Sequence, residues 1–78
     1  MARYFFHVRD GANFIEDAEG VELPDLGAVR EEAMSAAREM LAEKLYRGEV
    51  LDGQKFVVMD GAGDVVDEIP FRSAVRLS

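Results

Sequence analysis

The side chain best suited to proton chemistry in this chain is His7, the only histidine among 78 residues. Histidine changes charge near neutrality, so His7 could serve as a general base if a carboxylate from a neighbouring strand oriented its ring. No local motif supplies that partner, and the simpler expectation is a half-exposed strand residue between Phe5 and Arg9. Asp60-Gly61-Ala62-Gly63-Asp64 opens like a calcium loop, with acids at its first and fifth positions. Its sixth position is Val65 instead of glycine and its twelfth is Phe71 instead of glutamate, so the ligand set is incomplete. Aspartate and glycine are what a tight hairpin turn demands, and that is the reading adopted. Gly61-Ala62-Gly63 lacks the strand–loop–helix setting of a phosphate cradle. Asp67 and Glu68 are neighbours, so on a strand they point to opposite faces and cannot work as a carboxylate pair. Ser35, Ser73 and Ser78 have no nucleophile-elbow context. Arg3 and Arg9 share a strand face and could engage an anion, although solvation is the commoner fate of such arginines.

The chain has no cysteine, which removes disulfides and thiolate metal sites, and one histidine is too few for a structural zinc. No catalytic, cofactor-binding or metal-binding residue is therefore assigned, no cofactor is expected, and the chain is read as non-enzymatic.

The elements that would position these residues are legible from periodicity. From Arg3 to Arg9, Tyr4, Phe6 and Val8 alternate with Arg3, Phe5, His7 and Arg9, which is a strand with two distinct faces. Asp10-Gly11 closes it with a tight turn, Phe14 and Ile15 mark a shorter second strand, and Asp17-Ala18-Glu19-Gly20 turns again before Val21-Glu22-Leu23. Asp25, just after Pro24, caps a helix running from Leu26 to about Arg47, with Gly48 ending it. On that helix Leu26, Val29, Ala33, Ala36, Ala37 and Met40 form one apolar stripe, flanked by Met34, Leu41 and Leu45. After Leu51-Asp52-Gly53 come the apolar strand Lys55 to Asp60, the second hairpin turn and a returning strand from Val65 to Ile69 that Pro70 ends. Phe71, Val75 and Leu77 could fold a short tail onto the core.

The order ββαββ predicts an α+β two-layer sandwich, with one domain spanning 1–78. A four-stranded antiparallel sheet in the order 2-1-3-4 carries one long helix on one face. The two most apolar strands then lie at the centre and the charged ones at the edges. The face turned away from the helix would carry Phe5, His7, Val57 and Met59, and a partly apolar open face needs a cover.

Size and charge narrow the partners. So short a chain is near the lower limit for a self-sufficient core, and with the usual staples missing, self-association is the remaining one. The net charge of −7 is spread along the chain, so each third of it is negative. A surface that repels phosphate is a poor nucleic-acid binder. No apolar run is long enough for a signal peptide or a membrane span, and a cytoplasmic location is expected. The partner expected is a second copy of the chain or another protein, met through Phe5 and His7 on the sheet and Met34, Leu41 and Leu45 on the helix.

In Arg3-Tyr4-Phe5-Phe6-His7, Asp10-Gly11, the run from Asp17 to Leu26, Glu32-Ala33 and Pro70-Phe71, the chain resembles a family of small proteins abundant in alphaproteobacteria such as rhizobia. That resemblance implies a domain of unknown function and no catalytic residues. From Leu23 to Glu43 it is also similar, more weakly, to HicB-like antitoxin domains, which approach an Ala- and Glu-rich helix from an N-terminal hairpin. It departs from them in lacking a DNA-binding extension and in having a second hairpin. Three functions are weighed on this basis. The first is a non-enzymatic interaction or regulatory domain acting as a homodimer. The second is an antitoxin-like module neutralising a basic partner, and the third a small enzyme using His7.

Overall fold

A computed structural model describes residues 1–49 and 53–74. Leu51 and Asp52, and the tail contacts expected of Val75 and Leu77, lie outside the described residues. Strand β1 runs Ala2–Asp10, β2 Asn13–Ile15 and β3 Val21–Leu23; helix α1 spans Leu26–Tyr46; β4 is Gln54–Asp60 and β5 Val65–Pro70, followed by a 3-10 turn at Phe71–Ala74. The fold is α+β, with one long helix on one face of an antiparallel sheet, and the path β2-β1-β4-β5 is the order expected.

The strand count differs. Among the described residues the sheet has five strands, because Val21–Leu23 pairs with Ala2–Tyr4 while Asn13–Ile15 pairs with Val8–Asp10. β1 is nine residues long, so one of its edges has room for two three-residue strands in succession. The chain between them stays bonded to β1 through Asp17 and returns to the same edge. The β1–β2 turn has two residues, with Gly11 at φ 62° in first place, the type II′ pattern whose twist suits a hairpin.

α1 begins where Asp25 accepts a hydrogen bond from the Ala28 N–H at 2.8 Å. It ends in a Schellman motif: the Gly48 N–H donates to the Leu45 carbonyl at 3.0 Å and the Glu49 N–H to that of Lys44 at 2.9 Å. Its buried residues are Val29, Ala33, Ala37 and Leu41. Successive members of an i, i+4 series advance by about 40° around a helix of 3.6 residues per turn, so the contact line winds along α1. The averaged stripe expected from the sequence therefore fails at both ends. Leu26 and Met40 are exposed, whereas Leu41, assigned to the flank, is 5% exposed and belongs to the core.

The core lies between α1 and the sheet, where Val8, Phe56, Val58, Ile69 and Phe71 meet the helical alanines, with Tyr4 and Phe6 packed against them. The Phe56 ring stands edge-on to Phe6 at 5.8 Å and tilted against Phe71 at 4.6 Å. Arg38 Nε donates to the Ala74 carbonyl at 3.3 Å, which ties the 3-10 turn to the helix. No helix among the described residues is long and apolar enough to cross a membrane.

Candidate functional site

Register decides what the sheet shows on its uncovered side. Phe5 lies opposite Met59, His7 opposite Val57, and Arg9 opposite Lys55 on β4 and Phe14 on β2. Glu68 of β5 continues the row of His7 and Val57, and Arg3 faces Glu22 of β3. Pleating puts all of these on the face away from α1. The face therefore has an aromatic and aliphatic centre between two charged ends.

The aromatic rings are arranged in a row. Phe5 and His7 are nearly parallel, 8° between planes with centroids 6.3 Å apart, and His7 meets Phe14 at 5.4 Å. The Arg9 guanidinium sits 5.1 Å from the Phe14 centroid, a cation–π distance. Val57 is only 8% exposed although no helix covers it, since His7, Glu68, Lys55 and Met59 surround it in register and along its strand. A Lys55–Glu68 ion pair beside it holds the Glu68 carboxyl below the usual carboxylate range, by hydrogen bond first and charge second. The face is thus partly covered by its own side chains.

The loop between β2 and β3 frames this row. Asp17 uses one carboxylate oxygen to accept from the Phe6 N–H at 3.1 Å, and the other to accept from Glu19 N–H at 3.2 Å and Gly20 N–H at 3.1 Å. Burial raises the Asp17 pKa, but these backbone donors and the nearby His7 outweigh it and leave the group below its ordinary value. In return the Asp17 N–H donates to Nδ1 of His7 at 3.0 Å. Gly20, at φ 71°, then lies directly against β1, where an added Cβ would stand 2.8 Å from the Tyr4 carbonyl oxygen and 2.9 Å from the Phe5 ring.

That polarity bears on His7 chemistry. A histidine oriented as a general base donates its Nδ1–H to a carboxylate. Here Nδ1 accepts a backbone hydrogen bond, and the nearby carboxylate of Asp17 is turned to three other N–H groups.

The other residues expected at an interface are dispersed. Met34 is half-buried against the core, Leu41 is inside it, and Leu45 is 66% exposed near the helix end. They do not join Phe5 and His7, which sit beyond the sheet. Asp67 and Glu68 do point to opposite faces, Asp67 meeting Arg30 of α1 at 3.1 Å and Glu68 meeting Lys55. Asp60 caps its own hairpin, accepting from the Ala62 and Asp64 N–H groups at 3.0 Å.

A groove of about 290 Å³ opens near the helix end, floored by Val8, Ile15, Met40 and Phe71. Its cations are occupied: Lys44 pairs with Asp10 and Glu49, and Arg47 with Glu43 and Glu49.

A family model described as "Domain of unknown function (DUF6894)" matches residues 3–72. The chain belongs to the DUF6894 family. The matched stretch runs from the start of β1 into the 3-10 turn, so the open face, the Asp17 loop and the helix all lie within the family's unit. No curated protein and no solved structure matches the chain.

Sequence reasoning did not single out Phe14, Asp17 or Gly20. A usable signal was present in Asp17-Ala18-Glu19-Gly20, an aspartate followed three residues later by glycine, which is the signature of a side chain holding its own loop. The importance of Phe14 depends on its register with Arg9, which a three-residue strand does not reveal.

Proposed function

We propose that this DUF6894 member is a non-enzymatic protein-interaction domain that acts as a homodimer through the open face of its sheet. The supporting observation is charge. The chain carries −7 overall, yet on this face Arg3, Arg9 and Lys55 are balanced by Glu22, Glu68 and, at the margin, Asp17. A face that carries little net charge and mixes both signs can meet a second copy of itself with less like-charge repulsion than the −7 of the whole chain would suggest. A basic partner would instead favour the acidic remainder of the surface.

The sheet edges argue in the same direction. β2 and β3 are short and interrupted by a loop, and β5 ends in Pro70 with its Glu68 N–H taken by the Asp67 carboxylate. Such edges resist strand-to-strand association, which leaves the face. Four strands spaced ~4.8 Å apart and about six residues long present roughly 400 Å² in projection. An interface of that size lies at the small, transient end of protein–protein contacts.

Light scattering or sedimentation over a concentration series tests the reading. The mass should rise from one protomer to two, and Phe14→Glu should hold it at one while circular dichroism remains unchanged. A concentration-independent monomer mass for the wild-type chain overturns it.

A further inference from the structure

We infer that the two copies pair with their strands antiparallel across the interface, so that the Arg9 end of each open face lies on the Glu22 end of the other. The inference rests on the homodimer reading and adds to it which residues meet.

The face carries little net charge, but its charges are sorted along β1. At one end Arg9 and Lys55 are neighbours in register, and the carboxylate beside them, Glu68, is already bonded to Lys55. Arg9 sits against the Phe14 ring and makes no ion pair among the described residues. Asp10, at that same end, turns to the helix side, where it meets Gln54 and Lys44. At the other end Arg3 lies opposite Glu22 and donates to the Glu19 carbonyl at 2.7 Å. The β4–β5 hairpin borders this end, since Tyr4 lies opposite Asp60, and it adds Asp60 and Asp64. One end is thus cationic and the other acidic.

Two aligned sheets packed face to face leave two directions for a two-fold axis in the plane between them. An axis along the strands lays each end on its own copy, acid on acid and cation on cation. An axis across the strands lays the Arg9 end on the Glu22 end, twice in each dimer. The second arrangement is the one with complementary potentials. Glu16 and Asp17 border the middle of the face beside His7 and do not choose between the two. They meet their own copies in one arrangement and Glu68 in the other.

Within one chain, residues 9 and 22 are too far apart to couple. Glu22 lies opposite Arg3, and six residues of strand at ~3.3 Å each separate Arg3 from Arg9, about 20 Å in all. That distance exceeds the screening length in ordinary salt, so any coupling between the two positions arises across copies.

Sedimentation at neutral pH measures the dimer Kd of the wild-type chain, Arg9→Glu, Glu22→Arg and the double variant, with circular dichroism confirming each fold. Either single reversal brings like charges together and should raise Kd roughly tenfold, whereas the double reversal restores opposite charges and should return Kd to within about threefold of wild type. Glu19→Arg, at the same end and with no hydrogen bond from its carboxylate among the described residues, replaces Glu22→Arg if that variant does not fold. Single reversals that pair as well as wild type, or a double variant as weak as the singles, overturn this inference and leave the homodimer standing. A wild-type chain that stays monomeric overturns both.

Discussion

Gly20 lies so close to Phe5 that a β-carbon there would meet the ring at 2.9 Å. The glycine allows the β2–β3 loop to return flat against β1, and this return creates the fifth strand. Its φ of 71° adds a second reason, since only glycine adopts that conformation without strain. Gly20→Ala should therefore cost about 2–4 kcal/mol, combining the backbone penalty with a forced shift of Phe5. Gly63→Ala is the comparison: φ is also positive, at 86°, but nothing lies within 4 Å, so about 1 kcal/mol is expected. Urea unfolding of the two variants measures the difference, and equal losses would show that the close approach to Phe5 carries no energy.

Asp17 should give the fold an acid-sensitive element. Its pKa is lower folded than unfolded, so the unfolded chain binds the proton first as pH falls. The stabilisation is complete above the unfolded value, near 3.9 for an aspartate, and disappears as pH drops through the folded one. Urea midpoints followed from pH 6 to pH 2 should fall less steeply for Asp17→Asn than for wild type over that acid window. Parallel curves would mean that another carboxylate dominates the acid limb. At neutral pH, Asp17→Ala should cost about 1–3 kcal/mol through unpaired N–H groups at Phe6, Glu19 and Gly20.

Helix-to-sheet spacing rests on Ala33 and Ala37, both fully buried. Ala33→Leu adds three carbons where there is no space and should cost about 1–3 kcal/mol. Ala36→Leu, one residue beside the contact line and only partly buried, should fall within about 0.5 kcal/mol of wild type. Thermal melts of the pair decide whether the i, i+4 line is the true contact.

Phe71 is 2% exposed and packs, its ring tilted, against Phe56 in the turn that Arg38 ties to α1. Phe71→Ala should cost about 3–5 kcal/mol, comparable to the whole stability of so small a domain. Loss of a cooperative unfolding transition in circular dichroism is the expected outcome, and a well-folded variant would show that the 3-10 turn is dispensable.

Strong local signals made much of this fold legible in the sequence. β1 announces itself by alternation, its turn by Asp10-Gly11, and α1 by Asp25 and Gly48 at its ends. The sheet order followed because the apolar strands had to be central. β3 was not legible as a strand, because three residues carry no period and its pairing depends on the Asp17 and Gly20 contacts beyond it. Leu41 was misassigned because a helical wheel averages over a contact line that winds. The Asp17–His7 bond escaped because its partners are on separate elements, and spacing along the chain does not show which N–H faces a ring nitrogen.

β1 pairs with β2 and β3 nearby in sequence and with β4 about fifty residues away, Tyr4 opposite Asp60. During translation β1 leaves the ribosome before β4 and must wait for this main neighbour. The aromatic run Tyr4-Phe5-Phe6 stays uncovered until most of the chain has been synthesised. In a nascent chain Phe5 and its neighbours are thus aromatic surface first and the middle of a sheet only later.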